Sequence, residues 1–501
     1  MSGPHRRGAC PGLSAPMPTG DGLLVRLAPT GAMPLNAFVA LCAAARCHGN
    51  GTMEVTARGS LQVRGLTPAS APLFAADLAG LAIAFSEGVP VLAGPLPDPP
   101  DAVIDAARLA AALRGAIAEA WLALAPKVSV AVDDGSSLHL DGLAADIRLR
   151  ASAPASAPRL HVALGPVLPS AEGTGEAHVE LARSPSPACG GGLGRGLSDS
   201  PPAAEAVWSA RQVDVAPDRE VGARRERPLP TPPPQAGEGG VSHASLCRVG
   251  GPGDIGWLGV VAPERAVDVV LGLLREIATL GSMARGGDLL CTIGAGALRS
   301  RFRIEPAVAP SPRRQAEMVG LHHLRDGSAA LGIALAFGHA EAGALAELAR
   351  VAATHGAGSI RPAPDRSLML IGLELVRAAA LAAAAERLGF VARAGDPRRR
   401  VAACPGAPAC ASGLIAARAL AAAIAPRLAG LGEGIAVHVS GCAKGCAHPR
   451  PAALTVVGDE QGCGLVHHGT ARARPQRHVA PADLAAEVAR IFEAQGEAVH
   501  G

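Results

Sequence analysis

Four cysteines fall in two short segments near the C-terminus. Cys404 and Cys410 form a C-x5-C pair in AACPGAPACASG, and Cys442 and Cys446 form a C-x3-C pair in VSGCAKGCAHP. Four thiolates carried on two loops can surround one inorganic cluster. The glycines and prolines around them let backbone amides approach the sulfurs, which tunes a cluster's potential. Competing chemistries fit less well. Structural zinc usually draws its ligand pairs from shorter C-x2-C-like spacings, disulfides are disfavoured in a reducing compartment, and cysteines that merely pack a core are not normally so flanked by glycine. The spacing therefore predicts a [4Fe–4S] cluster held by Cys404, Cys410, Cys442 and Cys446.

Elements must bring these loops together. An alanine-rich helix and a strand at Ile435 to Val439 separate the two pairs. Upstream, the chain repeats itself: Leu35 to Leu66 matches Gly343 to Leu373 at almost constant offset, with His48-Gly49-Asn50-Gly51 answering His355-Gly356-Ala357-Gly358. Each copy reads as a strand (Gly22 to Leu27; Gly332 to Phe337), a helix ending at the His-Gly, an alternating strand, and a second helix (Ser70 to Ala82; Ala378 to Leu388). In the first copy Glu54, Thr56 and Arg58 alternate with Met53, Val55 and Ala57, which predicts one charged face. The His-Gly pairs suit helix C-termini. Two such half-modules imply an α+β fold with a pseudo-twofold axis and a ligand across the seam.

The bulk composition narrows the function. With 501 residues and 49% hydrophobic content the chain can bury two or three cores. A formal charge of +3, 2% aromatic residues and no tyrosine argue against nucleic acid as a partner. No apolar run is long enough for a bilayer, since Ala378 to Ala385 is closed by Arg377, Glu386 and Arg387, and MSGPHRRGACPG does not read as a secretory signal. A cytoplasmic protein is expected, its eleven cysteines kept as thiols unless a metal claims them. Only two lysines occur, Lys127 and Lys444, so these are positions where a compact ammonium is not replaced by a planar fork. Residues 184–240 are rich in proline and glycine and lack apolar periodicity, as in a disordered insert. Codons that spell Pro232 to Gly239 have a reverse complement that can spell Ser186 to Gly191, as expected of a translated palindromic DNA repeat, and Cys189 is set aside with the segment.

The paired cysteine segments, TARGSLQ (Thr56 to Gln62) and APKVSVAVDDG (Ala125 to Gly135) together resemble the nitrite and sulfite reductase superfamily, which holds a sirohaem beside a [4Fe–4S] cluster. Within it, ACPG (Ala9 to Gly12), ALGIALAFGHAEA (Ala330 to Ala342), IRPAPDRSLMLIGL (Ile360 to Leu373) and VSGCAKGCAHP are similar to the precorrin-3B synthase family.

The resemblance implies two ferredoxin-like half-modules, expected at 15–100 and 321–400. It also implies reductase-type α/β domains at 101–183, continuing with a connector at 241–320, and at 401–501 around the cluster. It implies a monooxygenase that hydroxylates precorrin-3A with O2 and forms a lactone, drawing electrons from an NADH-linked or ferredoxin-like donor. A mononuclear non-haem iron is also implied, with His448, His48 and His355 the placed candidates and no recognisable ligand triad.

Precorrin-3A and sirohaem share a rim of carboxylates, which calls for guanidinium forks. Arg58 matches the superfamily's anion-binding arginine; Arg64, expected three pleats further along the same strand face, Lys127, expected on the strand after the first half, Arg361 and Arg366 are the other rim candidates. Where the reductases carry a second lysine this chain has Ser129, which weakens oxyanion reduction. Two alternatives stand beside this reading: a sirohaem-dependent sulfite or nitrite reductase, and a tetrapyrrole or electron carrier without catalysis. Cys10 is a weaker ligand candidate, and Cys42 and Cys47 read as packing residues. Deleting residues 184–240 is expected to leave folding and turnover intact; a deletion chain that neither folds nor turns over would contradict this.

Overall fold

The computed structural model describes residues 11–152, 157–165, 256–314, 316–430 and 434–500. The expected insert at 184–240, Cys189 and Cys10 lie outside them.

The repeat folds as two antiparallel five-stranded sheets. The first runs Met17–Thr19, Gly22–Leu27, Leu61–Leu66, Thr52–Val55, His339–Glu341, and the second Gly320–His323, Ala329–Ala334, Ser367–Leu373, Ser359–Ala363, Met33–Pro34. Each sheet thus takes its last strand from the other repeat: Ala340 lies opposite Met53, and Ile360 opposite Met33. The helices Leu35–His48 and Ala342–Thr354 share one apolar core in which Phe38, Leu41, Leu345 and Leu348 are all fully buried. Each such side chain contributes roughly 1.5–3 kcal/mol, so the halves are held together by burial as well as by exchanged strands.

The other two sheets share one topology. In one, Val91–Ala93, Val130–Asp133 and Ile147–Ser152 run parallel and Arg159–Leu164 and Trp257–Val261 follow antiparallel; in the other, Val401–Ala403, Val437–Ser440 and Ala452–Asp459 run parallel, then Gly462–Gly469 and Arg477–Val479 antiparallel. Central runs such as VAVD and VHVS are buried throughout, as parallel strands covered on both faces must be. Parallel neighbours need a crossover, supplied by the helices Ala106–Glu119 and Ala417–Ile424. The loops after Ala403 and Ser440 consequently leave from the same sheet edge, the edge at which ligands of open parallel sheets gather. No helix among the described residues is long and apolar enough to cross a membrane.

At the matching edge of the first α/β sheet stands an ion-pair knot. Arg313 reaches Asp133 at 2.5 Å and Asp141 at 2.9 Å, while Arg148, 1% exposed, donates to the carbonyls of Leu140, at 2.9 Å, and Leu143. Burial alone would raise the Asp141 carboxyl, but the Arg313 fork holds it below its ordinary value.

Several local expectations are corrected. The first strand of the second repeat ends at Ala334, and Phe337 sits in a tight turn at Ala336–Gly338. The chain does not continue extended through Arg58: Thr56 N–H donates to Ser60 O at 2.9 Å, closing a turn. Arg58 therefore lies in the hairpin turn and Arg64 on its second strand, not along one face, and Glu54 is buried. Lys127 precedes its strand, in a turn where Val128 N–H donates to Ala125 O at 3.0 Å. Cys42 packs in the core as expected, with burial raising its thiol to about 12, whereas Cys47 is exposed.

Removing Arg313 would strand two largely buried carboxylates. Arg313→Met is expected to lower the unfolding free energy by about 3–5 kcal/mol in urea titration; a loss below about 1 kcal/mol, the range of exposed pairs, would contradict the knot's role.

Candidate metal centre

Both cysteine loops spring from adjacent parallel strands, and the backbone locks them together. Cys404 N–H donates to Val439 O at 3.3 Å, Gly441 N–H donates to Cys404 Sγ at 3.1 Å, and Leu414 N–H donates to Gly441 O at 2.7 Å. Across the gap, Lys444 Nζ donates to Ser412 Oγ at 2.7 Å, so one of the two lysines joins the C-x3-C loop to the C-x5-C loop. Glycine makes this approach possible. A methyl group added at Gly441 would stand 2.9 Å from Gly406 Cα and 3.4 Å from Cys404 Sγ.

The thiols interact as a set. Burial, then the neighbouring Cys404, Cys442 and Cys410, push the Cys446 thiol above its ordinary value, with Lys444 opposing. Thiolates crowded in this way need a compensating cation, which a bound metal supplies. Their spacing bears on which metal. A tetrahedral zinc with Zn–S of about 2.3 Å would draw its sulfurs to roughly 3.8 Å apart. Among the described residues, however, no three cysteine sulfurs lie mutually within 4.8 Å. The Gly441 amide on Cys404 is the kind of hydrogen bond that iron–sulfur clusters use at a ligand sulfur.

A second iron finds no fit of that quality. Asp133, His139 and Asp141 bring ligand atoms within 4.8 Å of one another, but Arg313 occupies both carboxylates. His139 Nε2 donates to the carbonyl of Arg314 at 2.6 Å, and its Nδ1 accepts from Asp141 N–H at 3.3 Å. His48 pairs with Asp77 at 2.7 Å, and His355 caps a helix. His448 stands edge-on to His438 with ring centroids 5.8 Å apart. No carboxylate joins that pair among the described residues.

The predicted cations divide into two groups. Arg64 and Arg366 face the cysteine loops. Arg64, 3% exposed, bonds both carboxylate oxygens of Asp21 at 2.9 Å, approaches Glu54 at 3.4 Å, and donates to the carbonyl of Ala409. Burial works against its charge, but Asp21 and Glu54 hold its pKa above the ordinary value. Arg366 donates to the carbonyl of Ala447 at 2.7 Å. These bonds tie both arginines to the cysteine loops.

The other three lie elsewhere. Arg58 is exposed in its turn and bridges to Pro364 of the second repeat. Lys127 is exposed on a turn whose carbonyl accepts from Arg285 at 3.0 Å, while Arg285 grips buried Asp146 at 2.7 and 2.8 Å. Arg361, on Ser359–Ala363, lies near Arg114 of the helix Ala106–Glu119, with no carboxylate paired to it among the described residues. Burial first, then Arg114, lower it to about 10.

Comparison with known proteins follows this geometry. Residues 15–81 match the nitrite/sulfite reductase ferredoxin-like half domain. A precorrin-3B synthase from Sinorhizobium sp is 32% identical over 494 residues, covering 97% of this chain and 88% of that protein. The chain belongs to the precorrin-3B synthase family. Its fold is also that of the Mycobacterium tuberculosis NirA protein, with TM-score 0.63 and 17% identity over 94% of this chain and 80% of that one. The α+β class expected from the sequence is therefore the observed one.

Sequence reasoning missed two half-buried charges beside these residues. Arg114 donates to Val91 O at 2.9 Å, but its Nε is buried without an acceptor; in the sequence it is one charge on an alanine-rich helix. Arg418, whose guanidinium reaches Glu54 at 2.6 Å, is equally inconspicuous. The glycine geometry gives a sharp test. Gly441→Ala is expected to cut iron and sulfide per chain severalfold while Ala443→Gly, at an exposed position, leaves both unchanged; full loading of Gly441→Ala would contradict the close approach.

Proposed function

We propose that the protein is a monooxygenase that hydroxylates precorrin-3A and closes a lactone on the macrocycle, with Cys404, Cys410, Cys442 and Cys446 holding a [4Fe–4S] cluster. The near full-length kinship to a precorrin-3B synthase carries this reading. A bound cluster supplies single electrons from an external donor, NADH-linked or ferredoxin-like. One atom of O2 enters the substrate and the other leaves as water, so the donor delivers two electrons and two protons come from solvent.

The chain's own residues bind and orient. Arg361, Arg114, Arg58 and Lys127 are the cations we assign to the substrate's carboxylates, Arg361 and Arg114 because they lie together without an anion of their own. Asp146 and Arg285 hold the Lys127 turn in place. Ser129 favours O2 over an oxyanion as co-substrate. It is fully buried and its hydroxyl has no partner among the described residues, so this position presents no cation.

Incubation with precorrin-3A and a reduced donor tests the reading. Mass gain of one oxygen only in the presence of O2 is expected. Unaltered bound pigment, or a sirohaem band in the purified protein, would contradict it. Arg361→Gln is expected to raise KM for precorrin-3A about tenfold or more, the loss of one charge-assisted carboxylate bond, with a smaller change in kcat; an unchanged KM would remove Arg361 from the site.

A further inference from the structure

We infer that Arg64 and Arg366 form a two-sided clamp on the cluster, one guanidinium from each half-module holding the backbone beside one cysteine. Arg64 donates to the carbonyl of Ala409, next to Cys410, and Arg366 to the carbonyl of Ala447, next to Cys446. The inference rests on the reading that these cysteines hold a cluster. Both are positioning residues, since neither contacts a sulfur or a substrate here.

Each side is built for the purpose. On the first, Asp21 takes two bonds from Arg64, fixing the plane of its fork. The turn carrying Asp21 presses directly on the C-x5-C loop: a methyl group added at Gly20 would stand 2.4 Å from Pro408 O and 2.9 Å from Cys410 C. On the second, Asp365 and Arg366 are consecutive non-glycine residues with φ of 56° and 60°. Such left-handed pairs cost free energy and persist where surrounding contacts hold them. Here Leu335 N–H donates to Arg366 O at 3.0 Å, and Ser367 Oγ donates to Pro364 O at 2.5 Å. Gly338, at φ +78°, leaves room for the arm, because a methyl group there would come within 2.5 Å of Arg366 Cδ.

The two arms differ electrically. The Arg64 charge is matched by Asp21, while the Arg366 fork ends on a carbonyl. Removing Arg366 therefore takes a cation from beside a centre whose reduction adds negative charge. Removing the Arg64 fork without its charge loosens the loop alone.

The holoprotein, purified without oxygen, is compared as wild type, Arg366→Gln, Arg64→Lys and the exposed-surface control Arg350→Gln. Arg64→Lys keeps a cation for Asp21, which guards against simple unfolding, but a compact ammonium lacks the planar fork that spans both Asp21 oxygens and the Ala409 carbonyl at once. Expected is a lower cluster midpoint potential in Arg366→Gln, an unchanged potential in Arg64→Lys, and iron loss to a chelator about tenfold faster in both. Arg350→Gln should match wild type. If wild type carries a cluster but the clamp variants keep its potential and lose iron no faster than Arg350→Gln, the clamp is wrong. If wild type carries no cluster, the reading beneath it fails as well.

Discussion

The structure turns on the convergence of four cysteines, carried close together by two loops that leave one sheet edge. Burial and its cysteine neighbours disfavour ionisation of the Cys446 thiol, so its thiolate gains from that proximity only where a cation joins it. The surrounding chain nevertheless enforces that proximity, through parallel strands that end together, glycines that admit backbone within van der Waals distance, and a lysine that ties one loop to the other. Folding thus places these thiols where a bound metal centre would be favourable.

The two α/β sheets show what happens at that edge with and without such a centre. Where the second sheet presents Cys404 and Cys442, the first presents Asp133 and, in the following loop, Asp141, closed over by Arg313, with Arg148 and Arg150 close by. The duplicated scaffold thus fills one edge with internally neutralised charge and gathers cysteines at the other. The half-modules link the two, because exchanged strands and a shared helical core prevent either from moving without its partner. Glu54 extends the linkage, pairing with Arg64 of its own sheet and Arg418 of the cluster sheet's helix.

Local signals in the chain foretold much of this. The cysteine pairs, the repeat, and helices ending at His48-Gly49 and His355-Gly356 depend on residues near in sequence, and all lie where pattern and capping chemistry put them. The roles of the arginines were not legible. Arg58 and Arg64 read as one face of a strand until the turn at Thr56–Ser60 separates them. Arg64 finds its partner in a loop 345 residues away along the chain and Arg366 in one 81 residues away, and Arg114 comes near Arg361 only in the folded chain. Lys127 illustrates the same limit: its motif marks it, but whether it sits in a strand or a turn is decided by Asp146 and Arg285. Charge placement of this kind is a tertiary property, and periodicity carries no record of it.

The central claim is that the four cysteines jointly hold a cubane. Acid-labile sulfide and electron paramagnetic resonance on dithionite-reduced protein, purified without oxygen, test it most directly. The account predicts about four sulfides per chain and the signal of a reduced [4Fe–4S] centre. Protein that contains stoichiometric zinc, no sulfide and no such signal would contradict it.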